Sequence, residues 1–345
     1  MTSTPLPCVS VVGATGYAGA ELVALLARHG GVSLGPVYSG PGGTRVAFSR
    51  IHPSLAGRSG PDACPLDVDA LLEADPDAVF LATPDEVSAE LAPLLLDWDP
   101  ELKVIDLSGA FRLTRAEDYP TWYGFAHPRP ELLAESVYGL TEWMEKPARA
   151  RLVANPGCYP TSVLLALKPL APRLDGAQAV VCDCKSGSSG AGRRGDVDFS
   201  FSELAGNVRA YGAGTHRHEP EMRQQLGLAE ETPFVFVPHL LPTVRGILST
   251  MHVGFARATD ADELGRLYAE AYGASPLVDV WPAGRLPDLN AVVGTPRAAI
   301  GYALLGDGRR AVLVCVIDNL LKGAASQAVQ NFNLLFGRDE AEGLA

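Results

Sequence analysis

Charge is scarce and lopsided in this 345-residue chain. Only 20% of residues are Asp, Glu, Lys or Arg, and 40 acids outnumber 28 bases for a net charge of −12. No Lys/Arg block offsets that acidity, which disfavours nucleic acid or an anionic membrane as partner. Long apolar runs are also missing. No stretch reaches the roughly 18 residues of a membrane span, and residues 1–7 lack the basic start and apolar run of a secretory signal, so a cytoplasmic location is expected. The six cysteines, at 8, 64, 158, 182, 184 and 315, are too dispersed for a disulfide framework. Cys182 and Cys184 share one face of an expected strand with no second Cys/His pair at zinc spacing; they read as small buried side chains, and no metal is expected. What is present is an ordinary globular composition, 47% hydrophobic, at a length that suits about two domains. Glycine (36) and proline (27) are the exceptions, and their placement decides whether they mean looseness or built loops.

Val9–Val12 is a short β-branched run that stops at Gly13-Ala-Thr-Gly-Tyr-Ala-Gly19, after which Glu21–His29 carries Leu and Ala at helical spacing. Further strands are expected at Val32–Tyr38, Asp77–Ala82, Val104–Leu107, Val137–Gly139 and Leu152–Ala154, with a helix at Ser88–Leu96 among the crossovers. Strands alternating with crossovers predict an α/β architecture whose N-terminal part is a Rossmann-type, doubly wound parallel sheet. After Cys158 the texture changes. Longer strands at Ala179–Lys185, Pro233–His239, Gly246–Phe255 and Arg310–Asp318, with a helix near Asp260–Tyr272, suggest a second, α+β domain with an antiparallel-leaning sheet. The last helical pattern, Leu321–Phe336, fits either domain.

Gly13, Gly16 and Gly19 sit between a strand and a helix, where glycines permit a tight turn and the helix N–H groups meet a pyrophosphate. The second strand ends Tyr38-Ser39-Gly40 with Arg45 nearby. An NAD site usually places a carboxylate there for the ribose diol; a hydroxyl and an arginine suit the 2′-phosphate of NADP instead.

Asn155-Pro-Gly-Cys158-Tyr-Pro-Thr161 leads into an apolar helix expected at Ser162–Leu170. A cysteine at a helix N-terminus is biased toward the thiolate, and the same N–H groups, with Asn155, suit an oxyanion. The base is sought in His216-Arg-His218-Glu-Pro-Glu221, a dense polar run before a helical pattern, while His29 and His252 read as structural. Lys185-Ser-Gly-Ser-Ser-Gly-Ala-Gly-Arg193-Arg194 is a donor-rich loop suited to an anion. Asp106-Leu-Ser108-Gly-Ala-Phe-Arg112 follows the fourth strand at the crevice end of the sheet, with Arg112 a candidate phosphate holder.

With these residues together, the chain resembles the N-acetyl-γ-glutamyl-phosphate reductases of arginine biosynthesis, relatives of aspartate-semialdehyde dehydrogenase. The resemblance rests on nine collinear blocks: GATGYAGAEL, HPSLAG, DLSGAFRL, YGLTE, NPGCYPT, KSGSSGAGR, HRHEPE, PHLLPTVRGILST and IDNLLKGAASQAVQNFN. It implies an NADP-binding domain of residues 1–157 plus 320–345, a catalytic and oligomerisation domain of 158–319, and a homodimer or homotetramer. It further implies NADPH as hydride donor and Cys158 as the nucleophile that forms a thioester with the acyl phosphate. His218 is ranked over His216 as acid/base. Gly13, Thr15, Gly16, Tyr17, Gly19, Ser39, Arg45, Ser188, Gly190 and Asn319 are expected at the cofactor, and Ser108, Arg112, Asn155, Ser186, Arg193, Glu221 and Arg245 at the substrate. Two departures stand out: Gly109-Ala110 where the family commonly has Ala-Asp, and Pro84-Asp85-Glu86 in place of Pro-His-Gly. A carrier-linked aminoadipyl phosphate of lysine biosynthesis and aspartate semialdehyde are the rival substrates. A non-catalytic NADP sensor is disfavoured by Cys158.

Overall fold

The computed structural model describes residues 5–40, 42–51, 53, 62–144, 149–193, 197 and 200–344. Arg194 and, in the HPSLAG block, all residues but Pro53 lie outside them. The chain divides into two compact units, Met1–Pro156 with Ala324–Ala345, and Gly157–Gly323.

The first unit is built on seven strands: β1 (Cys8–Val12), β2 (Ser33–Tyr38), β3 (Ala63–Cys64), β4 (Ala78–Leu81), β5 (Lys103–Asp106), β6 (Val137–Tyr138) and β7 (Leu152–Ala154). They lie in the order β3-β2-β1-β4-β5-β7-β6, and every pairing is parallel. All four residues of β4 are buried, the mark of a strand covered on both faces. Strand order reverses between β1 and β4, which opens a ligand crevice at their carboxyl ends. Helix α1 (Tyr17–Leu26) follows β1, and α2 (Asp85–Trp98) follows β4. The C-terminal helix, Ser326–Leu335, belongs to this unit and sets Phe332 against Phe80 of β4, ring centroids 6.0 Å apart. Its polar residues are buried because their amides are paired: Asn331 donates to the Gly139 carbonyl and to Asn155 Oδ1, and Gln327 donates to the same Gly139 carbonyl.

The second unit holds β8 (Val180–Ser186), β9 (Arg209–Ala210), β10 (Phe234–Leu240), β11 (Ile247–Gly254), β12 (Val278–Val280), β13 (Ala298–Leu305) and β14 (Arg310–Ile317), in the order β12-β13-β14-β11-β8-β10-β9. β8/β10 and β12/β13 pair in parallel and the rest antiparallel, so the sheet is mixed. Alternate residues of β8 are buried, Cys182 and Cys184 among them, and burial pushes the Cys184 thiol up to about 12. Helix α3 (Cys158–Leu167) is buried from Tyr159 to Leu167. Two further helices, α4 (His218–Leu226) and α5 (Ala261–Tyr272), complete the long elements, and Leu264, Tyr268 and Tyr272 form the buried stripe of α5 at four-residue spacing. The Tyr268 and Tyr272 hydroxyls donate to the Ala166 and Leu165 carbonyls at 2.7 and 2.6 Å, satisfying acceptors that the end of α3 leaves open.

Candidate active site

In the first unit, the glycine loop is held against the end of β4. Gly13 has φ +86°, and a Cβ there would overlap the Ala82 carbonyl; one on Gly19 would overlap the Gly13 carbonyl. Gly16 is the N-cap of α1, without a side-chain cap and with no acid in the first turn. Such a cradle, backbone exposed and helix N-terminus uncapped by carboxylate, fits a dinucleotide pyrophosphate. Thr15 and Tyr17 flank that N-cap. At the end of β2 the expected pair divides: Ser39 is buried with its hydroxyl donating to the Cys64 carbonyl at 3.1 Å, whereas Arg45 is an exposed cation 3.7 Å from Asp62. Arg45 and Asp62 line a cleft of 590 Å³ with Tyr38, Cys64 and Asp67.

The candidates of the β5 loop are employed differently from expectation. Arg112 is buried, its Nε donating to the Asn155 carbonyl at 2.9 Å and Nη2 to the Leu107 carbonyl at 2.7 Å, so this guanidinium braces the backbone instead of standing open to a phosphate. Asn155 is likewise enclosed: its Nδ2 donates to the Ala324 carbonyl and its Oδ1 accepts from Asn331. Ser108 donates to Asp106, whose carboxyl burial pushes up to about 6 despite the Ser108 hydrogen bonds. The two departures noted in the sequence turn out to touch. Asp85 Oδ1 accepts the Gly109 N–H at 2.6 Å, and a Cβ at Gly109 would run into the Tyr123 ring.

The nucleophile candidate lies in the second unit. Cys158 is the first residue of α3 and is half-buried, four residues ahead of the expected helix start. Pro160 falls in the first turn, where a missing N–H breaks no helical bond, so it does not delay the helix. Gly157 is the N-cap, and α4 docks one face onto it. His218 and Glu221, three residues apart, share that face: the buried Glu221 carboxylate accepts the Gly157 N–H at 2.9 Å, and a Cβ on Gly157 would stand 2.6 Å from His218 Nε2. Glu221 therefore grips the backbone under the cysteine, a different task from the substrate contact expected of it. His216 lies beyond, its ring centroid 4.7 Å from that of His218, within an aromatic cluster of Tyr159, Tyr211 and Phe236. Burial pushes the His216 imidazole down to about 4, with Arg217 adding to the effect, and its Nδ1 accepts the His218 N–H.

Residues 8–150 match the semialdehyde dehydrogenase NAD binding domain, and residues 158–319 the semialdehyde dehydrogenase dimerisation domain. An N-acetyl-gamma-glutamyl-phosphate reductase of Geobacillus kaustophilus is 44% identical over 97% of both chains, and one of Neisseria gonorrhoeae is 43% identical over 97% of this chain and 96% of its own. The chain belongs to the N-acetyl-gamma-glutamyl-phosphate reductase family. The fold is that of aspartate semialdehyde dehydrogenase II from Vibrio cholerae, with TM-score 0.70 at 18% identity over 97% of this chain and 99% of that one.

Within the second unit, the KSGSSGAGR and PHLLPTVRGILST blocks and the Asp318-Asn319 pair meet around the end of β14. Ser186 is buried with its hydroxyl on the Gly187 carbonyl; Ser188 and Ser189 hang by their N–H groups from the Thr243 and Val244 carbonyls, with Gly190 and Arg193 following on the same loop. Asn319 joins the two turns, its Nδ2 donating to Ser189 Oγ at 2.9 Å and its Oδ1 accepting from Gly246 N at 2.7 Å. Arg245 forms a fork with Asp318 at 2.9 and 3.1 Å. Sequence reasoning passed over Asp318 and Gly323. Asp318 ends an expected strand just before a singled-out Asn, and a buried acid there was the only signal. A Cβ on Gly323 would stand 2.9 Å from that of Cys158, so this glycine lets the chain pass against the nucleophile.

Proposed function

We propose that this chain reduces N-acetyl-L-glutamyl 5-phosphate to N-acetyl-L-glutamate 5-semialdehyde and phosphate. The observation that carries the reading is the Cys158 centre: a half-buried cysteine opening a buried helix, its N-cap amide held by Glu221 and overlain by the His218 imidazole. The helix N-terminus favours the thiolate, and His218 takes the thiol proton. Cys158 Sγ attacks the acyl carbon, the S–C bond forms, and the C–O bond to phosphorus breaks as phosphate departs with its electron pair. The α3 N-terminus stabilises the oxyanion of that addition. Gly13, Gly16 and Gly19 would hold the pyrophosphate of NADPH and Arg45 its 2′-phosphate, and the bound cofactor would supply the hydride. The tetrahedral oxyanion left by hydride addition then re-forms its C=O bond as the C–S bond breaks, releasing the aldehyde, and His218 returns its proton to the departing Cys158 Sγ.

His218 is preferred to His216 because burial makes His216 a weak base and its Nδ1 is already accepting an N–H. The match of residues 158–319 to a dimerisation domain supports a homodimer or homotetramer, and the chain is assigned to the cytoplasm; among the described residues no helix is long and apolar enough to cross a membrane. The test is the reverse reaction. NADP reduction by purified protein should require both N-acetylglutamate semialdehyde and phosphate; turnover of aspartate semialdehyde in their place would overturn the assignment.

A further inference from the structure

The stretch Tyr38-Ser39-Gly40 that ends β2 carries no carboxylate, yet the fold brings one there from further along the chain. Val46 forms an antiparallel bridge with Ala63, and β3 runs parallel to β2 with Cys64 opposite Tyr38. Arg45 therefore comes level with Cys64 and Tyr38, and Asp62, two residues before Cys64, joins it on the same side of the sheet edge. The glycine loop is fastened at this level, since Gly13 and Ala14 donate to the Tyr38 carbonyl at 3.0 and 2.9 Å. Asp62 Oδ2 stands 3.7 Å from Arg45 Nη1, too far for a hydrogen bond, and the two side chains are 47% and 69% exposed. A phosphate arriving at this guanidinium must draw it away from a neighbouring carboxylate. The rest of the cleft does not make up the deficit. Among the described residues that line its 590 Å³, Arg45 is the one cation and faces two acids, Asp62 and Asp67. Asp67 also caps the short helix Val68–Glu73, accepting the Ala70 N–H at 3.1 Å, so that helix start is already taken by a carboxylate.

We propose that Asp62 is a specificity-determining residue for the cofactor: it competes with the 2′-phosphate for Arg45 and so limits the preference of this chain for NADPH over NADH. The proposal rests on the assignment of Arg45 to the 2′-phosphate and deepens it. A phosphomonoester carries a charge of about −1.5 to −2 at neutral pH, whereas the ribose diol of NADH is neutral. Only the phosphorylated cofactor therefore has to break the Arg45–Asp62 pair. Exposed pairs are weak, so the competition lowers the preference without abolishing it.

The test is equilibrium titration of the full chain with NADPH and with NADH, read by nicotinamide fluorescence in the absence of any acyl substrate. At low salt, Asp62→Asn should lower the Kd for NADPH about three- to fivefold and leave that for NADH within about twofold. The gain should fade as salt rises from about 0.02 M to about 0.5 M, because both side chains are exposed to screening. Arg45→Gln should raise the Kd for NADPH about tenfold or more and spare NADH. Adding Asp62→Asn to Arg45→Gln should then change the NADPH Kd by less than about twofold, since the carboxylate acts through the arginine. An unchanged NADPH Kd in Asp62→Asn, equal tightening of both cofactors, or the same gain without Arg45 would overturn the proposal. So would NADPH binding that is indifferent to Arg45→Gln. Should Asp62→Asn not fold, Asp62→Ser removes the same charge and carries the same expectation. These titrations hold whatever the acyl substrate is. A protein that shows the expected shifts yet fails the reverse-reaction assay refutes the substrate assignment alone.

Discussion

At the scale of single residues, the two histidines of the HRHEPE block are separated by their surroundings. His216 is driven to about 4 by burial among aromatic rings, so it is too weak a base to collect a thiol proton; His218 sits over the N-cap that precedes Cys158. His218→Asn should lower kcat by about 10²–10⁴-fold, the usual worth of a positioned acid/base. His216→Asn should keep kcat within about tenfold of the wild type, because an amide oxygen can still accept the His218 N–H; steady-state kinetics on the pair checks the ranking. Cys158→Ser should abolish turnover yet leave NADPH binding intact in a fluorescence titration, since the defect is chemical. These residue types were legible in the sequence, but their employment was not. Arg112 and Asn155 look like ligand-binding side chains in any string of letters. Only the packing reveals that Arg112 is spent on the Leu107 and Asn155 carbonyls, and that the Asn155 amide is paired with Ala324 and Asn331, 169 and 176 positions away.

At the scale of elements, the glycine loop gives a prediction that distinguishes its members. Gly13→Ala must bear both a left-handed φ and an overlap with the Ala82 carbonyl, whereas a Cβ on Gly16, whose φ is −73°, meets only the Gly13 carbonyl at an ordinary 3.6 Å. Gly13→Ala should therefore cost about 1–3 kcal/mol of local strain and weaken NADPH binding severalfold or more. Gly16→Ala should be the milder change by calorimetric titration. Strand order and the strand–glycine–helix unit were readable because alternating apolar runs and breakers state them directly. Helix starts were harder. Gly19 lies inside α1 and Pro160 inside the first turn of α3, so residues that usually end a helix displaced the expected starts from Tyr17 to Glu21 and from Cys158 to Ser162. The burial of the C-terminal helix was not legible, because Gln327, Asn331 and Asn333 are polar and their partners, Gly139 and His29, are far away in the chain.

At the scale of the whole molecule, a half-buried histidine and a fully buried aspartate pull the acid stability in opposite directions. His216 titrates near 6.5 when unfolded and about 4 when folded, so its neutral burial stabilises above pH 6.5, and that contribution is lost as pH falls from 6.5 to 4. Asp106 is raised from 3.8 to about 6, so the folded chain holds its proton more tightly; this contribution is complete below pH 3.8 and lost as pH rises through 6. In thermal unfolding across pH 4–7, Asp106→Asn should gain on the wild type as pH rises. His216→Asn should gain on it as pH falls. A flat difference in either series would contradict the corresponding burial. The path of the chain carries a further consequence. Because residues 324–345 return to the unit that residues 1–156 begin, Phe332 is absent from the Phe80 core until almost the whole message has been read. The dinucleotide unit is therefore begun first and receives its last core helix only after the segment that bears Cys158 has been made in full. Order of synthesis and order of completion run in reverse.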